Sequence, residues 1–332
     1  MEYVPLVSII VVDYKKKNPY LIECLNAIEK QTFRKFEIIL VCDYRVNLDY
    51  PKLRQKYFGH YVGPAEKRDI GAKMAKGEIL AFIDDDAYPS PDWLKSLVSH
   101  FKKSNIAGVG GPGMTPPGVS WQEEASGWAS ASPVGAGMYR YRFLPDKKQY
   151  VDDYPSMNLA IRKIDFEKVG GFDSKYWPGE DTKLCLDLTH RLGKKIIYDP
   201  KVIVYHHRRP ILAPHLRQNG NFGIHRGYFA RILPETSLKP IYFLPSLMLL
   251  GLLFMLFVDV FGIQNILIIK VWNIGVVISS LYLLVLLFNA LWILRRSNLF
   301  QALLSIPVIF ITHLWYGVRF IQGFLFTGKL IQ

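Results

Sequence analysis

The chain has 332 residues, half of them hydrophobic, and a formal charge of +13 that splits as +9 before residue 241 and +4 after it. That length allows one large domain plus an appendage, and the composition is not uniform, since 241–332 holds one acidic and five basic residues. Three cysteines without paired spacing (Cys24, Cys42, Cys185) exclude a disulfide-built scaffold and read as reduced, packed thiols.

Met1–Pro5 is too short for a secretory signal and carries Glu2, so a cytosolic location is expected for the first 240 residues. Val7–Val12 is a β-branched run that predicts a buried parallel strand ending at Asp13-Tyr14. A helix follows over Pro19–Lys30, with Leu21, Cys24, Leu25 and Ile28 on one face, and a second strand over Phe36–Val41 ends at Cys42-Asp43. Residues 64–76 predict a helix, Glu78–Ile83 a strand and Pro91–Phe101 a helix. Alternating strands and helices imply an α/β fold with a mostly parallel central sheet, whose ligands bind at the carboxyl ends of the strands. Asp13, Asp43 and Asp84 all stand at such ends.

A further strand ends in the Gly/Pro-rich turn of Val109–Pro117, and 118–150 has no clear period, so it is expected to be a long loop near the site. Structure resumes with Ser156–Ile161, a helix over Ile164–Val169, the Gly170-Gly171 turn, a helix over Asp181–Leu192 and a strand over Val202–Tyr205. Between Arg191 and Lys239 stand ten Lys/Arg against two acids, and 211–233 mixes Leu212, Leu216, Tyr228, Phe229 and Ile232 with polar residues. That pattern predicts a helix or helix pair lying on anionic lipid headgroups, and makes membrane lipid rather than nucleic acid the partner of the basic charge. Three uncharged runs follow, Pro240–Val258, Val271–Leu294 and Ser297–Val318. Each is about the 20 residues that a bilayer core requires and none has a polar face, so three transmembrane helices are expected.

Ile83-Asp84-Asp85-Asp86 places three carboxylates in a row after an apolar strand. Their repulsion is relieved by a cation or by hydrogen-bond donors, so the run reads either as a Mg²⁺ or Mn²⁺ site or as a solvated turn capping the next helix. Asp84 and Asp86, two apart, share a side of an extended chain. Glu180-Asp181 opens a helix, where acids also serve as caps.

Val7–Tyr14, Phe36–Asp43, Gly63–Lys76, Phe82–Trp93, Ser156–Ala160, Gly170–Asp173 and Gly179–Asp181 together resemble family 2 glycosyltransferases over roughly residues 6–210. The resemblance implies a nucleotide-sugar-binding domain of the GT-A type and transfer with inversion. It implies that Asp86 ligates the metal, with Asp84 and Asp85 near nucleotide and ribose, Asp43 at the base, Asp13 also on the donor side and Arg68 below the nucleotide. It makes Asp181 the base that deprotonates the acceptor, with Glu180 beside it, and puts Asn158 on the acceptor side. It lets His206 complete the metal or diphosphate site, with His207 as alternate; a basic surface patch is the other reading of this pair. Departures at Val12-Asp13-Tyr14 and Cys42-Asp43-Tyr44-Arg45 leave uracil and guanine both open. Gln218 and Arg226, with Gly220, Gly223 and Gly227, distantly resemble a motif of processive members. They are read either as facing the diphosphate on the acceptor side or as touching headgroups.

The sequence thus predicts a cytosolic GT-A domain (1–210), a basic amphipathic segment (211–239) and a membrane domain (240–332) in the cell membrane. The expected function is an inverting, Mn²⁺- or Mg²⁺-dependent transfer from a UDP- or GDP-sugar to a hydroxyl of a lipid-linked acceptor, with self-association left open. A polyprenyl-phosphate sugar synthase, a nucleotidyltransferase and a non-catalytic membrane scaffold are the alternatives.

Overall fold

The computed structural model describes residues 5–15 and 17–330; the stretch Met1–Val4 lies outside them. Eleven strands are described: β1 (Val7–Asp13), β2 (Phe36–Cys42), β3 (Leu53–Tyr57), β4 (Ile79–Asp84), β5 (Ala87–Pro89), β6 (Ile106–Gly110), β7 (Gly113–Met114), β8 (Gln149–Val151), β9 (Asn158–Arg162), β10 (Lys195–Tyr198) and β11 (Val204–His206). Eight form one sheet in the order β3-β2-β1-β4-β9-β6-β10-β8, and β5-β11-β7 form a smaller one. The helices are α1 (Pro19–Glu29), α2 (Pro64–Met74), α3 (Trp93–Val98), α4 (Trp121–Ala131), α5 (Pro133–Ala136), α6 (Lys163–Val169), α7 (Glu180–Leu186), α8 (Ala213–Ile232), α9 (Pro234–Ser237), α10 (Pro240–Val260), α11 (Ile266–Leu294) and α12 (Leu299–Ile321).

The chain divides into two compact units. The first comprises the described residues up to Pro116 and Tyr141–His207. Its sheet is parallel through β3-β2-β1-β4; β9 then runs antiparallel between β4 and β6. β1, β2 and β4 are apolar almost throughout because both faces are covered, and Val7, Ile9, Val11, Ile38, Leu40, Ala81 and Ile83 share one core with Leu21, Cys24 and Leu25 of α1. β3 escaped the sequence reading because Leu-Arg-Gln-Lys-Tyr is an exposed edge strand without an apolar run.

The second unit comprises 117–140 and 208–330. Here the structure corrects the expected loop: 118–150 contains α4 and α5 together with β8, and the stretch up to Arg140 packs with the carboxyl-terminal helices. Ser120 caps α4, and Ala, Ser and Gly on its buried face gave too little apolar contrast for a visible period. Polar pairs fasten it: Gln301 Nε2 donates to Trp121 O (3.2 Å) and Glu124 (3.3 Å), and Ser297 Oγ donates to Glu124 (2.8 Å).

α8 is a single helix whose glycines form a packing seam. A Cβ at Gly223 would stand 2.8 Å from Tyr316 O and one at Gly227 2.2 Å from Phe320 O, while one at Gly323 would meet Ile224 O at 2.1 Å. Only hydrogen fits between backbones that close, so the glycines compared with a processive motif serve helix contact. α10, α11 and the helix beginning at Leu299 are each long and apolar enough to cross a membrane. α11 starts at Ile266, earlier than expected, so the connection after α10 is shorter and Lys270 lies within the helix.

Candidate active site

Register gathers the acids. Val12 of β1 lies beside Asp84 of β4, and Asp13 beside Cys42 of β2, so Asp13, Asp43 and Asp84 crowd one edge of the sheet. Two consecutive cations of α2 answer them. Lys67, 2 % exposed, pairs with Asp43 (2.7 Å) and donates to the main-chain oxygen of Asp13 (2.9 Å). Asp43 also accepts from the Val62 N–H (3.1 Å). Arg68 donates from Nη2 to Asp84 (2.9 Å) and from Nη1 to Glu180 (2.7 Å), its guanidinium lying over the Phe172 ring at 5.6 Å.

The acid turn between β4 and β5 sorts its three carboxylates. β11 pairs antiparallel with β5 so that His206 lies opposite Ala87, and His206 Nε2 stands 3.1 Å from Asp86 Oδ1. Asp84, Asp86 and His206 each bring one ligand atom within 4.8 Å of the others. Two carboxylates and an imidazole are a donor set that fits Mn²⁺ or Mg²⁺, with phosphate oxygens free to complete the shell. Asp85 faces elsewhere: the Asn18 side-chain amide donates both to it and to Asp13 (3.1 Å to the latter). Burial first, then the charge of Asp86 and the hydrogen bond with Asp13, push the Asp85 pKa up to about 8. His207 is not in this group; its Nε2 pairs with Glu23 (2.9 Å) and its ring stacks on Tyr20.

At the start of α7, Glu180 is buried and held by Arg68; burial, and then the charge of Asp181, raise its pKa to about 7. Asp181 accepts the N–H groups of Thr182 (2.7 Å) and Ser156 (3.3 Å). Its pKa is raised by burial and then by Asp153, which is itself held by Thr182 Oγ1 (3.0 Å) and Arg142 (3.3 Å).

Asn158 requires a correction. It is 1 % exposed, donates both amide hydrogens to Gly111 O (2.6 Å) and Val202 O (2.7 Å), and accepts from Trp93 Nε1 (2.8 Å). With no donor left, it fastens the end of β9 to neighbouring loops instead of lining an acceptor. Gln218 and Arg226 belong to α8 of the second unit, where Arg226 is buried, donates to Ser237 Oγ (3.3 Å) and covers the Tyr242 ring at 5.1 Å. Lys67, Asn18, Asp153 and Arg142 were missed. Lys67 carried a signal, because it stands beside Arg68 near the buried stripe of Ala65, Gly71 and Ala72; Asn18 reads from sequence only as a helix cap.

Residues 8–169 match the family model described as glycosyl transferase family 2. The pre-mycofactocin glycosyltransferase of Mycobacterium tuberculosis is 31 % identical over 168 residues, 49 % of this chain and 34 % of that one, so the match spans about a third of the relative's length. The glucosyl-dolichyl phosphate glucuronosyltransferase of Haloferax volcanii is 24 % identical over 217 residues, 60 % of this chain and 68 % of its own. Among solved structures, the mannosyltransferase PcManGT of Pyrobaculum calidifontis in complex with GDP-Man and Mn²⁺ superposes with a TM-score of 0.56 at 16 % identity, covering 98 % of this chain and 88 % of that one. GalNAc-T7 with UDP, GalNAc and Mn²⁺ gives 0.50 at 19 % identity, covering 73 % of this chain and 52 % of that one. These two likenesses establish the GT-A type fold.

The raised carboxyls set the pH dependence of stability. Asp85 and Glu180 bind protons more tightly folded than unfolded, so their contribution is complete below about pH 4 and is lost as the pH rises through about 7 to 8. In chelator, the melting temperature of the purified protein is therefore expected to fall between about pH 5 and pH 8. Asp85→Asn, which cannot ionise, should flatten that fall; a variant with the wild-type slope would show that Asp85 is already ionised.

Proposed function

We propose that the chain, whose residues 8–169 match the glycosyl transferase family 2 model, transfers one sugar from a UDP- or GDP-sugar, with inversion, to a hydroxyl of a lipid-linked acceptor. The observation that carries this reading is the convergence of Asp84, Asp86 and His206, linked through Arg68 to the acid pair Glu180-Asp181. The attacking hydroxyl gives its proton to Asp181 as its oxygen bonds to the anomeric carbon and the nucleoside diphosphate leaves from the opposite face. One displacement inverts the centre and requires no protein nucleophile. Burial and Asp153 hold the Asp181 pKa up and so strengthen it as a base. Asp84, Asp86 and His206 would hold Mn²⁺ or Mg²⁺, which when bound neutralises charge growing on the departing diphosphate. Lys67 and Arg68 keep the carboxylates around the donor in place, with Asp13 and Asp43 on its nucleoside side.

A lipid-linked acceptor is supported by the helices of membrane-spanning length in the same chain and by the name of the haloarchaeal relative, which acts on glucosyl-dolichyl phosphate. With the catalytic unit in the cytosol, Arg295 and Arg296, between the second and third spans, also fall inside, as the positive-inside bias favours.

Thermal shift of the full chain against a panel of nucleotide-sugars with Mn²⁺ tests the reading. The correct donor is expected to stabilise by about 2.7 kcal/mol at a hundredfold excess over its Kd, and the shift should vanish in chelator and in Asp86→Asn. Stabilisation by no member of the panel would remove the proposal.

Asp181→Asn tests the base. It is expected to keep the donor-induced shift while turnover drops by a factor on the order of 10²–10⁴. Near-normal turnover at saturating acceptor would move the role to Glu180.

For the orientation, single cysteines at Asn265 and Ser297 can be probed in intact cells with an impermeant thiol reagent. Labelling at Asn265 alone is expected; labelling at Ser297 alone would place the catalytic unit outside.

A further inference from the structure

α1 and its cap Asn18 contact both segments that carry Asp84, Asp86 and His206, in each case through a residue next to the ligands.

 At its amino end, the Asn18 amide holds Asp85, which lies between Asp84 and Asp86. On the next turns, Tyr20 stacks on the His207 ring (centroids 4.1 Å apart) and Glu23 accepts from His207 Nε2 (2.9 Å), while the His207 main-chain N–H donates to Asp86 O (2.9 Å). Asp85 and His207 are thus both tied to α1 and its cap, one beside Asp84 and Asp86 and the other beside His206, and the His207 N–H holds the two ligand-bearing segments together at Asp86 O.

We propose that Asn18 and the Glu23–His207 pair are positioning residues for the divalent cation, setting the spacing of its ligands from behind. The proposal rests on the reading of Asp84, Asp86 and His206 as those ligands. Partners one step behind a metal's ligands commonly govern its affinity by 10- to 100-fold. Asn18 and Glu23 act on the ligands through Asp85 and His207, so their effect is read in metal binding itself and not only in turnover.

The test is Mn²⁺ titration of the purified full chain, read by the electron paramagnetic resonance signal of free Mn²⁺ in the presence of nucleoside diphosphate. Glu23→Ala and Asn18→Ser are expected to weaken Mn²⁺ binding by about 10- to 100-fold. Serine retains the helix cap while losing the amide donor. Glu23→Gln, whose carbonyl still accepts from His207, should bind Mn²⁺ close to wild type. The half-exposed Glu23 can be removed without opening the core, and the metal-free melting temperature of Glu23→Ala should match wild type. Wild-type Mn²⁺ affinity in Glu23→Ala and Asn18→Ser would overturn the inference and leave the ligand assignment standing. A wild-type chain that binds no Mn²⁺ would overturn both.

Discussion

Arg68 joins the carboxylate at the end of β4 to the acid that opens α7, which lies 112 residues beyond the arginine itself. Everything at this edge of the sheet depends on such bridges, because parallel strands deliver like charges side by side at their carboxyl ends. Lys67 and Arg68 follow one another on α2 yet serve different pairs of elements, the first β1 and β2, the second β4 and α7. Removing one partner of a buried pair typically costs about 3–5 kcal/mol, because the remaining charge is left in a poorly solvating place. α2 therefore acts as a cationic strap, and the site's geometry is inseparable from the stability of the first unit.

The acids left outside that strap are handled by different means. Burial and the charge of Asp86 push the Asp85 pKa up, and burial and Asp153 raise that of Asp181. Neighbouring carboxyls of identical chemistry thereby acquire different protonation behaviour from their surroundings, which is the condition for assigning them different roles.

Much of this was legible in the sequence because it obeys short-range rules. The apolar runs of β1, β2 and β4 announced buried parallel strands, and the acids that end them marked the site before any packing was known. The three apolar runs after Lys239 likewise announced helices of membrane-spanning length. What escaped was set by long-range contact. Asn158 was expected on the acceptor side from the resemblance, but its partners are main-chain oxygens at Gly111 and Val202, brought near only by the fold. Glu23 and His207 meet across 184 positions, and no local pattern carries that information. The 117–140 segment hid its helix because its packing face is built from alanine, serine and glycine.

The glycine seam of α8 has a consequence for how the chain is made. α8 and the 117–140 segment leave the ribosome well before α12, on which both pack, since about 90 residues separate the end of α8 from the end of α12. At roughly 5–20 residues per second, α8 waits on the order of 5–20 s with its backbone uncovered along one stripe. The first unit can close its sheet during that interval, but the segment leaving it at Pro117 and returning at Arg140 has no final seat until the last span exists. Emergence of α12, rather than of the catalytic sequence, is then the moment at which the second unit is assembled.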